Sequence, residues 1–281
     1  MVIKMKIING KLLAENLRNS IANEVKQYSR PPGLAVLLVG DNEASQVYVR
    51  NKTRACVEVG FYSDQIHKSA NITEEELLSE VNRLNENETI DGILVQLPLP
   101  SHIDSNRIIE AIIPEKDVDG FSSENVGKLS LNKPFISPCT PKGIMKMLDS
   151  IKCDLKGKDC VIIGASNIVG RPMAMELLNA GATVQVCHKE TKDITQKTKS
   201  ADVIIAAAGV ANLVKSDWVK DGAIIIDVGI NRLENGKLAG DVDFEDVKDK
   251  VSAISPVPGG VGPMTIAVLL ENTLIAYQAK L

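Results

Sequence analysis

Aromatic residues are scarce in this sequence, with one Trp, four Tyr and four Phe among 281 residues, too few to build a base-stacking platform for single-stranded nucleic acid. A basic excess is missing as well: 32 Lys and Arg face 36 Asp and Glu, a net charge of −4, which excludes the electrostatic footprint of a nucleic-acid binder. The five cysteines, Cys56, Cys139, Cys153, Cys160 and Cys187, form an odd, scattered set without a C-x-x-C pair and read as reduced, mostly buried thiols. Long apolar runs are absent. The longest uncharged stretches, 203–214 and 261–270, fall short of the roughly 18 residues a membrane span needs. Lys6, Asn9 and Gly10 interrupt residues 1–10, so no signal segment is expected there. The three histidines, His67, His102 and His188, lie far apart and no H-E-x-x-H or Cys cluster occurs, so no metal site is expected. These absences predict a cytoplasmic protein with no nucleic-acid or membrane partner.

What is present is a globular composition, 44% hydrophobic and 24% charged, with length for one large domain or two ordinary ones. Apolar β-branched runs alternate with helical patterns, which predicts an α/β fold with a mostly parallel sheet. In the first half, 34–39, 61–66 and 92–96 read as strands and 43–59 and 73–87 as helices, with Thr73 and Glu76 in capping-box spacing. In the second half, 160–163, 183–187, 203–207 and 223–228 read as strands covered on both faces. The proline-rich stretch 134–141 marks a hinge before a helix over 142–150. Two α/β domains follow, 1–138 and a Rossmann-like 139–261 with a cleft between them, the helical tail 262–281 packing back on the first.

Several segments carry chemistry. Gly164-Ala165-Ser166-Asn-Ile-Val-Gly170 lies between a strand and a helix start, where free N–H groups meet an anion such as a pyrophosphate; a tight turn without ligand is the alternative. The next strand ends at Val186-Cys-His188-Lys189, without an acid for a ribose hydroxyl. Lys189, helped by His188 or Arg171, therefore favours the 2′-phosphate of NADP, against a merely solvated lysine. In Asp227-Val-Gly229-Ile230-Asn231 the glycine would let backbone approach a nicotinamide. Tyr48 and Lys52 stand four apart on one helix and share a face, as site residues or as a surface pair. Gln96 closes an apolar strand before Pro98, where its amide needs partners or ties down the proline loop. Residues 116–121 read as an Asx turn, and 256–263 as a rigid ligand-touching loop or a simple turn.

Taken together, V-G-D-N-E-A-S-Q-V-Y-V-R-N-K, Q-L-P-L-P, K-D-V-D-G-F, P-C-T-P-K-G, G-A-S-N-I-V-G-R-P and P-V-P-G-G-V-G-P-M-T, spread in order over 39–265, closely resemble the bifunctional methylenetetrahydrofolate dehydrogenase and methenyltetrahydrofolate cyclohydrolase family. The resemblance implies oxidation of 5,10-methylenetetrahydrofolate by NADP to the methenyl cation, then hydrolysis to 10-formyltetrahydrofolate. It implies that Lys52 is the catalytic lysine, that Tyr48 stacks on the folate, that Gln96 orients Lys52 and that Asp119 grips the pterin. Pro258, Gly259 and Gly260 would touch the substrate, with Gly164, Ala165, Ser166, Lys189 and Ile230 at the cofactor. Ala165 stands where some relatives carry an Arg, which shifts work to Lys189 and leaves NAD usable. A homodimer is implied too. The alternatives are a monofunctional dehydrogenase, disfavoured by Lys52 and Gln96, and a folate- or nucleotide-binding protein without turnover.

Overall fold

The computed structural model describes residues 5–281; positions 1–4, part of the stretch read above as lacking a signal segment, lie outside them. The elements in order are β1 (Lys6–Ile7), α1 (Gly10–Val25), β2 (Gly33–Val39), α2 (Glu43–Val59), β3 (Tyr62–Lys68), α3 (Glu74–Glu86), β4 (Gly92–Val95), α4 (Ser105–Glu110), α5 (Ser123–Ser130) and α6 (Cys139–Ser150). There follow β5 (Asp159–Ile163), α7 (Gly170–Asn179), β6 (Thr183–Cys187), α8 (Ile194–Ser200), β7 (Val203–Ala206), β8 (Ile224–Asp227), β9 (Asn231–Arg232), β10 (Leu238–Ala239), α9 (Phe244–Val247), β11 (Ala253–Ile254) and α10 (Val261–Gln278). They form two compact units. One comprises Glu15–Cys139 with Ile266–Leu281, the other the described residues up to Ala14 with Thr140–Thr265. No helix among the described residues is long and apolar enough to cross a membrane.

The first unit is built on a parallel three-stranded sheet in the order β3-β2-β4. Its central strand, GLAVLLV, is buried throughout, as a strand covered on both faces must be. The ends of α2 are set locally: Asn42 accepts the Ser45 N–H through its side chain, and Gly60 closes the helix at φ 81°, a conformation cheap for glycine. Thr73 and Glu76 form the expected capping box on α3. Buried Asp91 ties in the carboxyl-terminal segment. It accepts from both Arg30 nitrogens at 2.7 and 2.9 Å and from Lys280 at 2.9 Å. Burial opposes its ionisation, yet Arg30 and Lys280 hold the carboxyl below its ordinary range.

The second unit holds a parallel six-stranded sheet in the order β1-β11-β8-β7-β5-β6. β5, β7 and β8 are the buried apolar strands that the sequence predicts. The run 183–187 is not covered on both faces: β6 is an edge strand and largely exposed, because only β5 pairs with it. A second difference concerns the amino-terminal segment, read above within 1–138. Lys6 and Ile7 pair with Ala253 and Ile254 at the far edge of this sheet, a two-residue strand too short for any hydrophobic period. Because β6 and β7 flank β5 on opposite sides, the direction of winding reverses at β5. Ligands of such sheets sit at that switch point, beyond the carboxyl ends of the strands.

Candidate active site

In the first unit, α2 carries Tyr48 and Lys52 one turn apart. Tyr48 is exposed, and Lys52 is half-buried. The Lys52 Nζ donates to Gln96 Oε1 at 3.0 Å. Gln96 follows the last residue of β4, and its Nε2 donates to the Leu97 carbonyl at 2.8 Å. That second bond fixes the amide so that its oxygen faces the lysine. One amide thus bonds both to its own proline loop and to Lys52.

The segment 116–122 divides its charged residues between support and display. Lys116 is 3% exposed and its ammonium donates to the carbonyls of Leu84, Asn85 and Asn87 at 2.9, 2.7 and 2.8 Å, closing the carboxyl end of α3. Burial, with Lys280 and Arg30 adding repulsion, lowers its pKa to about 8. Asp117 forms the expected Asx turn and more. Its carboxylate accepts the N–H groups of Gly120, Phe121 and Ser122 at 3.1, 3.2 and 2.8 Å and the Asn125 Nδ2 at 2.9 Å. Asp119 is left half-buried, its carboxyl raised by burial and pulled back by the charge of Lys52. The unit thus gathers a flat ring, an amine held by a neutral amide, and a carboxylate that feels the same amine.

In the second unit, the loop after β5 lacks room for side chains where it folds on itself. A Cβ on Gly164 would stand 2.1 Å from the Ala207 carbonyl oxygen, and one on Gly170 2.1 Å from that of Gly164. The Ser166 hydroxyl accepts the N–H groups of Val169 and Gly170 at 3.1 and 3.4 Å. The N–H groups of residues 165–168 donate to no other described residue, so the entrance of α7 offers unclaimed donors, the chemistry a pyrophosphate needs. Lys189, 91% exposed, follows β6 on a turn and lies 3.9 Å from Glu190. Its suggested helpers are engaged in the chain: His188 Nδ1 accepts the Glu190 N–H at 3.2 Å, and Arg171 Nε donates to the Ala165 carbonyl at 3.3 Å. Ile230 is exposed.

The 256–263 loop packs on the start of α1. Lys11 N–H donates to the Gly259 carbonyl at 2.9 Å, and a Cβ on Gly10 would meet the Gly260 oxygen at 1.9 Å. Pro258, Gly259 and Gly260 therefore belong to the unit of the glycine-rich loop, not to that of Lys52.

Gly229 also answers a demand that the sequence did not suggest. A Cβ there would stand 2.2 Å from Asp241 Oδ1, and one on Gly240 1.8 Å from Asp227 Oδ2, so the glycines make room for two buried carboxylates. Asp227 accepts the N–H groups of Gly229, Asp241 and Val242, and Asp241 those of Ala208 and Gly209. Together they brace the loops at the ends of β7 and β8. Sequence reasoning missed this pair, along with Asn272 and the helix cap that Lys116 forms. For Asp227 the signal was a polar residue closing the apolar run 223–226; Asp241, Lys116 and Asn272 have polar residues close by in the sequence and gave none.

Family models described as "Tetrahydrofolate dehydrogenase/cyclohydrolase, catalytic domain" and "Tetrahydrofolate dehydrogenase/cyclohydrolase, NAD(P)-binding domain" match residues 8–119 and 138–281. The chain is 61% identical to the "Bifunctional protein FolD" of Vesicomyosocius okutanii, over 99% of this chain and 100% of that protein. Its fold matches the crystal structure of a bifunctional FolD from Campylobacter jejuni with TM-score 0.97 and 55% identity, covering 99% of this chain and 100% of that one. A Trypanosoma brucei FolD solved with NADP cofactor and inhibitor matches with TM-score 0.95 and 38% identity, covering 98% of each chain.

Proposed function

This chain belongs to the tetrahydrofolate dehydrogenase/cyclohydrolase family, and on that footing we propose that Tyr48, Lys52, Gln96 and Asp119 serve both of its reactions. The enzyme oxidises 5,10-methylenetetrahydrofolate to the 5,10-methenyl cation with NADP and hydrolyses that cation to 10-formyltetrahydrofolate. The observation supporting the residue assignment is the 3.0 Å hydrogen bond from Lys52 to a neutral amide oxygen, beside a carboxylate that feels the lysine's charge.

Asp119 binds the pterin edge, since a carboxylate accepts two hydrogen bonds from an amide N–H and an exocyclic amine. The exposed ring of Tyr48 stacks on the folate. Lys52 handles the protons of hydrolysis. The positive charge of the methenyl group disfavours an ammonium beside it and frees the amine. The amine takes a proton from the attacking water as the carbon–oxygen bond forms and gives it to the folate nitrogen as the carbon–nitrogen bond breaks. The remaining hydroxyl proton of the adduct leaves to solvent as the formyl C=O forms, so that hydrolysis of the cation releases one proton overall. Gln96 directs the lysine without fixing its charge.

Bound NADP supplies the hydride acceptor. The chain holds it through Gly164, Ala165 and Ser166 at the phosphates, Lys189 at the 2′-phosphate and Ile230 at the nicotinamide, with NAD as a weaker substitute. The enzyme works as a homodimer in the cytoplasm, where its five cysteines, none in a disulfide, stay reduced.

The test is an assay with methylenetetrahydrofolate, run with NADP and with NAD, following reduced cofactor and methenyl decay together. NADP reduction without methenyl accumulation is expected, and Lys52→Met should abolish methenyl decay at every pH while sparing part of the dehydrogenase. Accumulating methenyl species in the unaltered enzyme would leave a monofunctional dehydrogenase. No reduction with either cofactor would leave a binding protein.

A further inference from the structure

Asn272 lies on α10 and is fully buried, and the residues one turn away on its face, Val268, Leu269, Ile275 and Ala276, are apolar. Its Nδ2 donates to the carbonyls of Val118 and Ser137, both at 2.9 Å, and lies 3.5 Å from Cys139 Sγ. The Cys139 thiol donates to the same Val118 carbonyl at 3.3 Å and borders the carboxyl of Asp119. On the other side of Asp119, Gly120 sits at φ +73°, where a Cβ would stand 2.8 Å from the Pro138 nitrogen and 2.9 Å from the Ser137 carbonyl carbon. Both residues that flank Asp119 are therefore pressed against the 137–139 segment, and one amide joins the two strands of chain. Asp117 braces the same turn from within, so Asp119 is held from two directions.

A buried amide costs stability unless its groups are satisfied, and an apolar residue would pack this helix without that demand. Its two donors go to the carbonyl of Val118, the residue before Asp119, and to that of Ser137, against which Gly120 packs. We propose that Asn272 is a positioning residue for Asp119, acting through the Val118 carbonyl and the Cys139 thiol to fix where the carboxylate meets the folate. This rests on the reading of Asp119 as the folate anchor. The role concerns binding: the bonds of Asn272 lead to the turn that carries Asp119, so it should govern KM for the folate and leave proton handling alone. A carboxylate that recognises two donors at once is sensitive to small displacements, which is why a supporting residue can matter here.

The test compares Asn272→Ala, Asp119→Asn and the double variant in the dehydrogenase assay, with thermal unfolding as a check on folding. Asn272→Ala should raise KM for methylenetetrahydrofolate about tenfold, with kcat within about twofold and KM for NADP unchanged. In the Asp119→Asn background the same change should have less than about twofold effect, because the group it positions has lost its charge. A folded Asn272→Ala enzyme with unchanged folate KM overturns the proposal, as does full additivity in the double variant. If Asn272→Ala does not fold, Cys139→Ala decides: it cuts the thiol link with little change in volume, and an unchanged folate KM overturns the proposal. If Asp119→Asn alone leaves the folate KM unchanged, the reading of Asp119 itself has failed, a result separable from either.

Discussion

The Lys52 ammonium points at an amide oxygen, that of Gln96 at 3.0 Å, and the amide cannot turn away because its nitrogen is held by the Leu97 carbonyl. A neutral acceptor orients a lysine while leaving its charge free to change. A carboxylate at the same place would stabilise the ammonium. Gln96→Glu, nearly identical in shape, should therefore slow methenyl hydrolysis about a hundredfold and move the remaining activity to higher pH. Dehydrogenase activity should fall less. The check is the pH profile of methenyl decay, and an unshifted profile would reduce Gln96 to a tie for the proline loop.

Cofactor choice should hinge on Lys189. Its ammonium is 91% exposed, with Glu190 as its one ionic neighbour among the described residues at 3.9 Å, so it is available to a phosphate but poorly fixed. A charge-assisted bond in so open a place contributes about 1 kcal/mol. Lys189→Ala should raise KM for NADP about fivefold and leave KM for NAD unchanged. Equal effects on both cofactors would assign the lysine to the surface.

How far the sequence was legible depended on distance along the chain. The start of α3 was readable because it is set by residues within a turn, Thr73 with Glu76. Buried strands such as β2 were readable as apolar runs. The motif residues of the proposed site, Tyr48, Lys52, Gln96 and Asp119, stood out through the family resemblance, but the double engagement of Gln96 needed coordinates. What lay beyond reach were contacts between side chains far apart in sequence. Asn272 meets Val118 across 154 positions, and Asp241 claims the space beside Gly229; neither pairing leaves a periodic trace. The edge position of β6 was hidden because Thr183–Cys187 is as β-prone as an interior strand.

The Asp227 carboxyl should make the second unit lose stability as pH rises. Burial pushes it up to about 6, against three N–H donors that favour the charged form, while Asp241 adds repulsion. An ordinary carboxyl in the unfolded chain titrates near 3.9. The folded state thus binds the extra proton between these values, so the stabilising contribution is full below about 4 and is lost as pH climbs through about 6. Asp227→Asn removes this titration. From pH 5 to pH 7 the unaltered protein should lose about 1 kcal/mol relative to the variant, measurable as the difference between their urea midpoints at the two pH values. A constant difference would show that Asp227 titrates alike in both states.

Lys116 provides the opposite sign. Its pKa is lowered to about 8, first by burial and then by Lys280 and Arg30, while a lysine of the unfolded chain titrates near 10.4. The unfolded state binds the extra proton in between, so the contribution to stability is greatest above the unfolded value and is lost as pH falls through about 8. Three carbonyls of the α3 terminus depend on this ammonium. Lys116→Met keeps the length of the side chain and removes every donor, which should destabilise the unit by roughly 2–4 kcal/mol at neutral pH. The gap should widen between pH 7 and pH 9.5, since the unaltered protein gains stability over that interval and the variant does not. Because Lys116 also anchors the turn that carries Asp119, the folded variant should bind methylenetetrahydrofolate more weakly, with KM for NADP unchanged. Urea denaturation at the two pH values and folate KM separate these effects: a lost cap alone would change stability and leave KM where it was.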